Sequence, residues 1–232
     1  MSSNTDPDII RLKQMAADAA VAQLEDGMLV GLGSGSTAEL AVASIGKRVS
    51  AGLRIIGVPT SEKTAALARL HNIPLSTLGE HPQLDLAIDG ADEVELPGLS
   101  LIKGGGGNQL REKLVAISSR RLVIVVDESK LVERLGTTFP VPVEVIRFGW
   151  ESTAKRLEAA GATPVLRHRD GKPYITDDGN YILDCRFGPI ASPPELQRQL
   201  DGTVGVVEHG LFIGIASQAI VAGARGVRIF SV

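Results

Sequence analysis

The sequence predicts an α/β protein: a parallel sheet flanked by helices, followed by a second, smaller α+β domain. Two patterns and one bulk property lead there. Over the first two-thirds, short β-branched runs alternate with longer helical stretches, the rhythm of a parallel α/β sheet. From about Pro140 the order becomes strand, helix, strand, strand, helix, strand, the split-βαβ pattern. The chain has 232 residues, 44% hydrophobic and 22% charged, enough apolar mass for a sizeable core and a length that allows one large domain or two small ones. The expected division is 1–138 with 208–232 as the first domain and 139–207 as the second.

The elements follow in order. Asp6-Pro7 reads as a helix cap and first helical position, opening a helix over residues 8–24 that ends before Gly27. A strand over 28–32 meets the loop Gly33-Ser34-Gly35-Ser36, and a helix starts near Thr37. Strand 54–58 leads to helix 61–71. Strand 84–88 ends at Asp89, and a short strand 99–102 ends at Lys103. Helix 108–118 precedes the strongly apolar strand 122–126, which ends at Asp127. In the second domain, strand 141–146, helix 151–160, strands 163–167 and 180–186, helix 193–200 and strand 203–207 complete the order. The tail, 211–232, holds two further apolar segments that could return to the first sheet.

Bulk charge excludes several classes. There are 24 Lys+Arg against 27 Asp+Glu, a net charge of −3, and aromatics make up 3%. Nothing here neutralises a nucleic-acid backbone or stacks bases, so no nucleic acid is expected as a partner. The single cysteine, Cys185, cannot form an internal disulfide, which fits a reducing compartment. Residues 1–10 (MSSNTDPDII) carry no basic and apolar leader, and the apolar stretch near 211–224 is too short to span a bilayer. The expectation is a cytoplasmic protein without membrane contact.

The polar residues cluster just past strand ends, where open α/β sheets bind ligands. In GLGSGSTAEL (31–40) a strand, a glycine turn and a helix start make an anion site from backbone N–H groups, with Ser34, Ser36 and Thr37 adding hydroxyls. The same segment also reads as a tight turn with Ser36 or Thr37 as a plain cap. No lysine follows Gly35, so it is not a P-loop. The second strand ends in Val58-Pro59-Thr60 without the acidic residue a dinucleotide site needs, leaving a small phosphate as the better guest. Asp89-Gly90-Ala91-Asp92-Glu93 is either a turn or a pair of carboxylates able to face a polyhydroxylated ligand and move its protons. Four successive glycines after Lys103 suggest close approach of backbone to ligand, with Lys103 as a point charge beside it. On the next helix, Leu110, Leu114 and Ile117 mark an apolar stripe with Val115 beside it, and Glu112 points elsewhere; its i±4 positions are Asn108 and Ala116, with Arg111 and Lys113 nearby in sequence, and a carboxylate there could serve as a base. Lys130, after the last strong strand, is either a second cation at the phosphate or sugar or part of a charged helix start. The four histidines (His71, His81, His168, His209) lack metal spacing and read as surface or turn residues.

Together these segments resemble the ribose-5-phosphate isomerase A family. GLGSGSTA (31–38), VPTS (58–61), DGADEV (89–94), KGGGG with LREK (103–113), VDESK (126–130) and GVVEHGLF (205–212) occur in order over nearly the whole chain. The resemblance implies a Rossmann-like first domain, a ferredoxin-like second domain, and a homodimer or homotetramer. It implies interconversion of ribose 5-phosphate and ribulose 5-phosphate, as in the pentose phosphate pathway, without a metal or organic cofactor. By position Glu112 matches the proton acceptor. Ser34, Gly35, Ser36 and Thr37, then Asp89, Gly90, Ala91 and Asp92, then Lys103, Gly104, Gly105 and Gly106, and finally Lys130 match the substrate-binding segments. Ser34 stands where the family usually has Thr, and Asn108-Gln109 replace smaller or apolar residues. The residue types suit the chemistry: Glu112 as base, Lys103 and glycine N–H groups on the developing oxyanion, Asp89 and Asp92 on hydroxyl protons and ring opening. A sugar-phosphate sensor, a sugar-phosphate deaminase or a CoA-transferase-like enzyme on the same fold are the alternatives, and the glycine run with Glu112 nine residues after Lys103 favours the isomerase.

Overall fold

The structure, a computed structural model, describes residues 6–232, so residues 1–5 of the acidic opening lie outside it. In chain order the elements begin with α1 (Pro7–Val21), β1 (Leu29–Leu32), α2 (Ser36–Ser50), β2 (Ile56–Pro59), α3 (Glu62–Leu70), β3 (Leu86–Asp89), β4 (Glu93–Glu95) and β5 (Ser100–Ile102). They continue with α4 (Gln109–Ile117), β6 (Leu122–Asp127), a 3-10 turn (Glu128–Lys130), β7 (Leu131–Val132), β8 (Val141–Val145), α5 (Trp150–Ala159) and β9 (Thr163–Leu166). A small hairpin, β10 (His168–Arg169) and β11 (Lys172–Pro173), leads to β12 (Tyr181–Arg186), α6 (Pro193–Asp201), β13 (Val206–His209), β14 (Leu211–Phe212), β15 (Gln218–Gly223) and β16 (Gly226–Ser231). By contacts the chain divides into two units, Met1–Ala91 with Arg111–Lys130 and Ile215–Val232, and Asp92–Leu110 with Leu131–Gly214.

The first unit is built on a six-stranded sheet in the order β16-β15-β6-β3-β1-β2, parallel except for the edge strand β16. Every residue of β3 and β6 is buried, which explains their near-continuous apolar sequences. Asp6 caps α1 by accepting the Asp8 N–H at 2.9 Å, with Pro7 in the first turn. That helix turns Ala16, Ala17 and Ala20 into a core that also holds Val30, Ile45, Leu86, Ile88, Val125 and Ile220. A fully buried aliphatic side chain of this size contributes roughly 1.5–3 kcal/mol. Strand order reverses at β1, which has β2 on one side and β3 on the other. The chain ends emerging there, Gly33–Ser36 and Asp89, thus lie at the topological switch point.

The second unit contains an antiparallel sheet in the order β13-β8-β12-β9, with α5 and α6 between its strands in sequence, the ferredoxin-like arrangement. Its core gathers Val141, Val143, Val145, Leu157, Leu183, Leu196 and Leu200. A second, unexpected sheet, β14-β5-β4-β7, draws residues 92–110, 131–138 and 208–214 into this unit rather than the first, where the expected boundaries had put them. The buried Glu93 explains the closure. Its carboxylate accepts the N–H groups of Gly136 (2.6 Å), Thr138 (2.5 Å) and Phe139 (2.7 Å) and the Thr138 hydroxyl (2.6 Å). Of the strands in this sheet only β5 was expected, as 99–102; β4, β7 and β14, of two or three residues each, are too short to show a period-2 pattern.

Candidate active site

In the first unit the loop after β1 is held from below by side chains. A Cβ on Gly33 would fall 2.2 Å from Asp89 Oδ1 and 2.6 Å from the Asp89 Cα, so only glycine lets the two strand ends approach. Asp89 Oδ1 accepts the N–H groups of Ser34 (3.1 Å) and Gly90 (2.8 Å). The Ser34 hydroxyl is bonded to the hydroxyls of Thr60 (2.8 Å), Ser61 (2.8 Å) and Thr64 (3.0 Å), while Ser61 caps α3 through the Thr64 N–H. The VPTS segment therefore braces the loop.

What the loop presents is a helix start. The cap of α2 is Gly35, with φ 100° and no side-chain capping bond, so neither Ser36 nor Thr37 acts as the plain cap. First-turn N–H groups of a helix have no intrahelical acceptor, and a start of this kind can receive an anion. The Ser36 hydroxyl instead accepts from Lys13 Nζ at 2.9 Å. Lys13 is buried, and desolvation lowers its pKa; Lys130 pushes in the same direction and Asp127 opposes it. An anion beside Ser36 would offset the burial of the Lys13 cation. The sequence reading missed Lys13, although its spacing to Ala16, Ala17 and Ala20 puts it on the buried stripe of α1. A lysine on an apolar stripe was the available signal.

In the second unit the glycine run follows β5. Lys103 is buried, its N–H donates to the Gly210 carbonyl at 2.8 Å, and its ammonium lies 5.5 Å from the Phe212 ring centroid. Asp92 Oδ2 accepts the Gly105 N–H at 2.8 Å. A Cβ on Gly105 would meet Asp92 Oδ1 at 2.6 Å, one on Gly104 (φ 99°) would meet Gln109 Oε1 at 2.8 Å, and one on Gly107 (φ 89°) the Tyr174 ring at 2.4 Å. Gly106 has no such neighbour closer than 3.4 Å. Gln109 is fully buried beside Gly104, and neither end of its amide has a hydrogen-bond partner among the described residues.

Glu112 sits in the first turn of α4 and is 5% exposed. The helix buries Gln109, Glu112, Lys113, Val115 and Ala116. The apolar stripe is therefore not its packing face: Leu114 is 45% and Ile117 62% exposed. The acidic run divides by role: Asp89 binds the loop after β1, Asp92 the glycine run, and Glu93 the turn 136–139.

One histidine departs from expectation. His209 is buried, not at the surface, and its Nδ1 accepts the Leu211 N–H at 3.2 Å. A neutral ring accepting at Nδ1 carries its proton on Nε2, which donates to Asp201 Oδ1 at 3.0 Å. Asp201, Glu208 and His209 bring their ligand atoms within 4.8 Å of one another. With the Nε2 proton directed at Asp201, that trio reads as a hydrogen-bonded pair with a neighbouring acid. Among the described residues no helix is long and apolar enough to cross a membrane.

A doubly wound sheet with an open helix start at its switch point and charged side chains buried near strand ends is the architecture of an α/β enzyme for small anionic substrates. The profile of the family described as ribose 5-phosphate isomerase A (phosphoriboisomerase A) matches residues 56–226. The ribose-5-phosphate isomerase A of Synechococcus sp. (strain JA-3-3Ab) is 60% identical over 218 residues, covering 93% of this chain and 95% of that protein. The structure of ribose 5-phosphate isomerase A from Methanocaldococcus jannaschii superposes with a TM-score of 0.92 at 42% identity, over 96% of this chain and 99% of that one. A D-ribose-5-phosphate isomerase solved in complex with phospho-erythronic acid gives 0.93 at 37% identity, over 97% and 99%. The chain belongs to the ribose-5-phosphate isomerase A family of aldose–ketose isomerases.

Proposed function

We propose that this protein interconverts D-ribose 5-phosphate and D-ribulose 5-phosphate through an enediolate, with Glu112 as the general base, in the non-oxidative branch of the pentose phosphate pathway. The observation that carries the assignment is Glu112, a carboxylate 5% exposed in the first turn of the helix that follows the glycine run. Withdrawn from bulk water, it is suited to take a proton from carbon without water competing for it. Glu112 removes the C2 proton of the open-chain aldose, the C1 oxygen gains negative charge, and the proton returns to C1 as the hydroxyl proton moves from O2 to O1. Lys103 with Gly104, Gly105 and Gly106 is assigned to the developing oxyanion. Asp89 and Asp92, with Gly90 and Ala91, are assigned to the sugar hydroxyls and ring opening. Gly35, Ser36, Thr37 and Lys130 are assigned to the phosphate, Lys13 is added to them, and Ser34 holds the loop that carries them. Anchoring the phosphate away from the reacting carbons converts its binding energy into positioning.

We infer further that the chain works in the cytoplasm as a homodimer or homotetramer. The buried free thiol of Cys185 supports a reducing compartment, and the outward Leu114 and Ile117 support self-association. Sedimentation at micromolar concentration should find no monomer. The decisive assay mixes the purified chain with ribose 5-phosphate and a chelator and follows the ketose. Glu112→Gln should fold normally and lose at least ~10²-fold in kcat, the scale of a lost general base. Unchanged turnover would remove Glu112 from its role.

A further inference from the structure

We propose that Arg167 is a positioning residue for this reaction: its guanidinium holds the carbonyls of Gly104 and Gly105, and thereby turns the Gly106 N–H to the opposite side as a donor to the developing oxyanion. The assignment rests on the isomerase reading above. Consecutive glycines have little backbone preference of their own, so the orientation of each peptide must be imposed by its neighbours. Arg167 NH1 donates to Gly104 O at 2.9 Å and to Gly105 O at 3.2 Å. The other edge of the same guanidinium is locked on Asp184, with Nε on Oδ2 at 2.9 Å and NH2 on Oδ1. The Arg167 side chain is only 12% exposed. Its backbone is tied on both sides, its N–H donating to Ile182 O at 2.9 Å and its carbonyl accepting from Tyr174 N at 2.8 Å. A fork with one edge committed and one nitrogen free to bridge two carbonyls is a guanidinium arrangement that an ammonium cannot reproduce.

The consequence follows from peptide planarity. In a trans peptide the carbonyl and the following N–H point in opposite directions. Turning the Gly104 carbonyl to Arg167 sends the Gly105 N–H the other way, and it is found on Asp92 at 2.8 Å. Turning the Gly105 carbonyl to Arg167 does the same to the Gly106 N–H. That residue is exposed, and its N–H meets no acceptor among the described residues. The Gly106 carbonyl is held in turn by the Tyr174 hydroxyl at 3.3 Å. A flip of the 105–106 peptide would present a carbonyl where the reaction needs a donor. Such a donor acts as charge develops, so its loss falls on kcat more than on KM.

The test compares wild type, Arg167→Lys and the double variant Arg167→Met/Asp184→Asn, which leaves no stranded carboxylate. The expected double variant is folded by thermal melting, keeps KM within about 3-fold, and loses about 10- to 100-fold in kcat, somewhat less than deletion of a whole oxyanion donor. Guanidinium ion added well below denaturing concentration should recover part of the rate, and Arg167→Lys should fall between the two. If the double variant does not fold, Arg167→Lys is judged by the same split between kcat and KM. A folded variant with wild-type kcat, or a loss carried entirely by KM, overturns the proposal. An inactive wild-type chain would instead sink the isomerase reading and this assignment with it, whereas an active wild type beside an unimpaired variant sinks Arg167 alone.

Discussion

The loop after β1 and the run after β5 are both glycine-rich and both polar, yet they are held in opposite ways. In the first, Gly35 opens a fifteen-residue helix, and helix geometry itself aims the first N–H groups outward. The side chains around it, Asp89 and the hydroxyls of Ser34, Thr60, Ser61 and Thr64, only seat the turn. In the second, residues 104–106 belong to no regular element, and each peptide is oriented by a side chain: Asp92 on an N–H, Arg167 and Tyr174 on carbonyls. Donors built into a helix end are robust to changes in nearby side chains, whereas donors on an irregular run depend on distant ones. The lesson is that glycine content alone does not say how the backbone of a loop is held.

The largest test of this contrast is Gly33→Ala. Its Cβ would collide with the backbone as well as the carboxylate of Asp89, so a loss of about 3 kcal/mol is expected in the denaturant midpoint. A tolerated alanine would mean the strand ends do not need their close approach. Gly107→Ala should cost about 2 kcal/mol, because the left-handed backbone disfavours a side chain while the Tyr174 ring can partly move aside. Gly106→Ala should stay within about 0.5 kcal/mol, and an equal effect at both positions would erase the distinction drawn within the run.

Lys13→Met probes the helix-start site. Binding of inorganic phosphate, followed by calorimetry, should weaken about tenfold, the scale of one charge-assisted hydrogen bond. Stability should move the other way. Burial lowers the Lys13 pKa, so at neutral pH the native state holds a cation it disfavours, and the methionine variant should melt higher. A lower melting temperature would mean that the Ser36 bond outweighs desolvation.

The smallest effect is assigned to Glu144, whose Oε1 accepts from Thr176 (2.8 Å) and Asn180 (3.0 Å) in the turn just beyond Tyr174. Burial raises its pKa, and the two hydrogen bonds oppose that shift. The folded protein therefore keeps a proton that the unfolded chain has released. Stability from this group is greatest below the ordinary carboxylate range and declines as pH climbs through the raised value. Glu144→Gln has no proton to lose, so its melting temperature should match wild type in acid and exceed it increasingly toward neutral pH. A gap that does not change with pH would show that the carboxyl is already ionised in the fold.

Much of the architecture was visible in one dimension. Apolar runs, helical spacing and caps such as Asp6-Pro7 placed the long helices and the strands of the two large sheets within a few residues, because those signals are local. The motif segments were visible for the same reason: a turn, a glycine run and a strand end each declare themselves in a handful of neighbours. The inward face of α4 was misjudged, since hydrophobicity marks a packing face only when the buried groups are apolar, and here they include Gln109, Glu112 and Lys113.

Partnership was the part that needed three dimensions. The Ser34 hydroxyl braces the loop against residues 26 to 30 positions away. Lys13 reaches Ser36 across 23 positions, and Arg167 reaches Gly104 across 63. Local propensity and periodicity act over a turn or a strand, so they specify which elements form. A hydrogen bond between remote side chains exists only after the sheets have chosen their order and register, and no pattern along the chain encodes it.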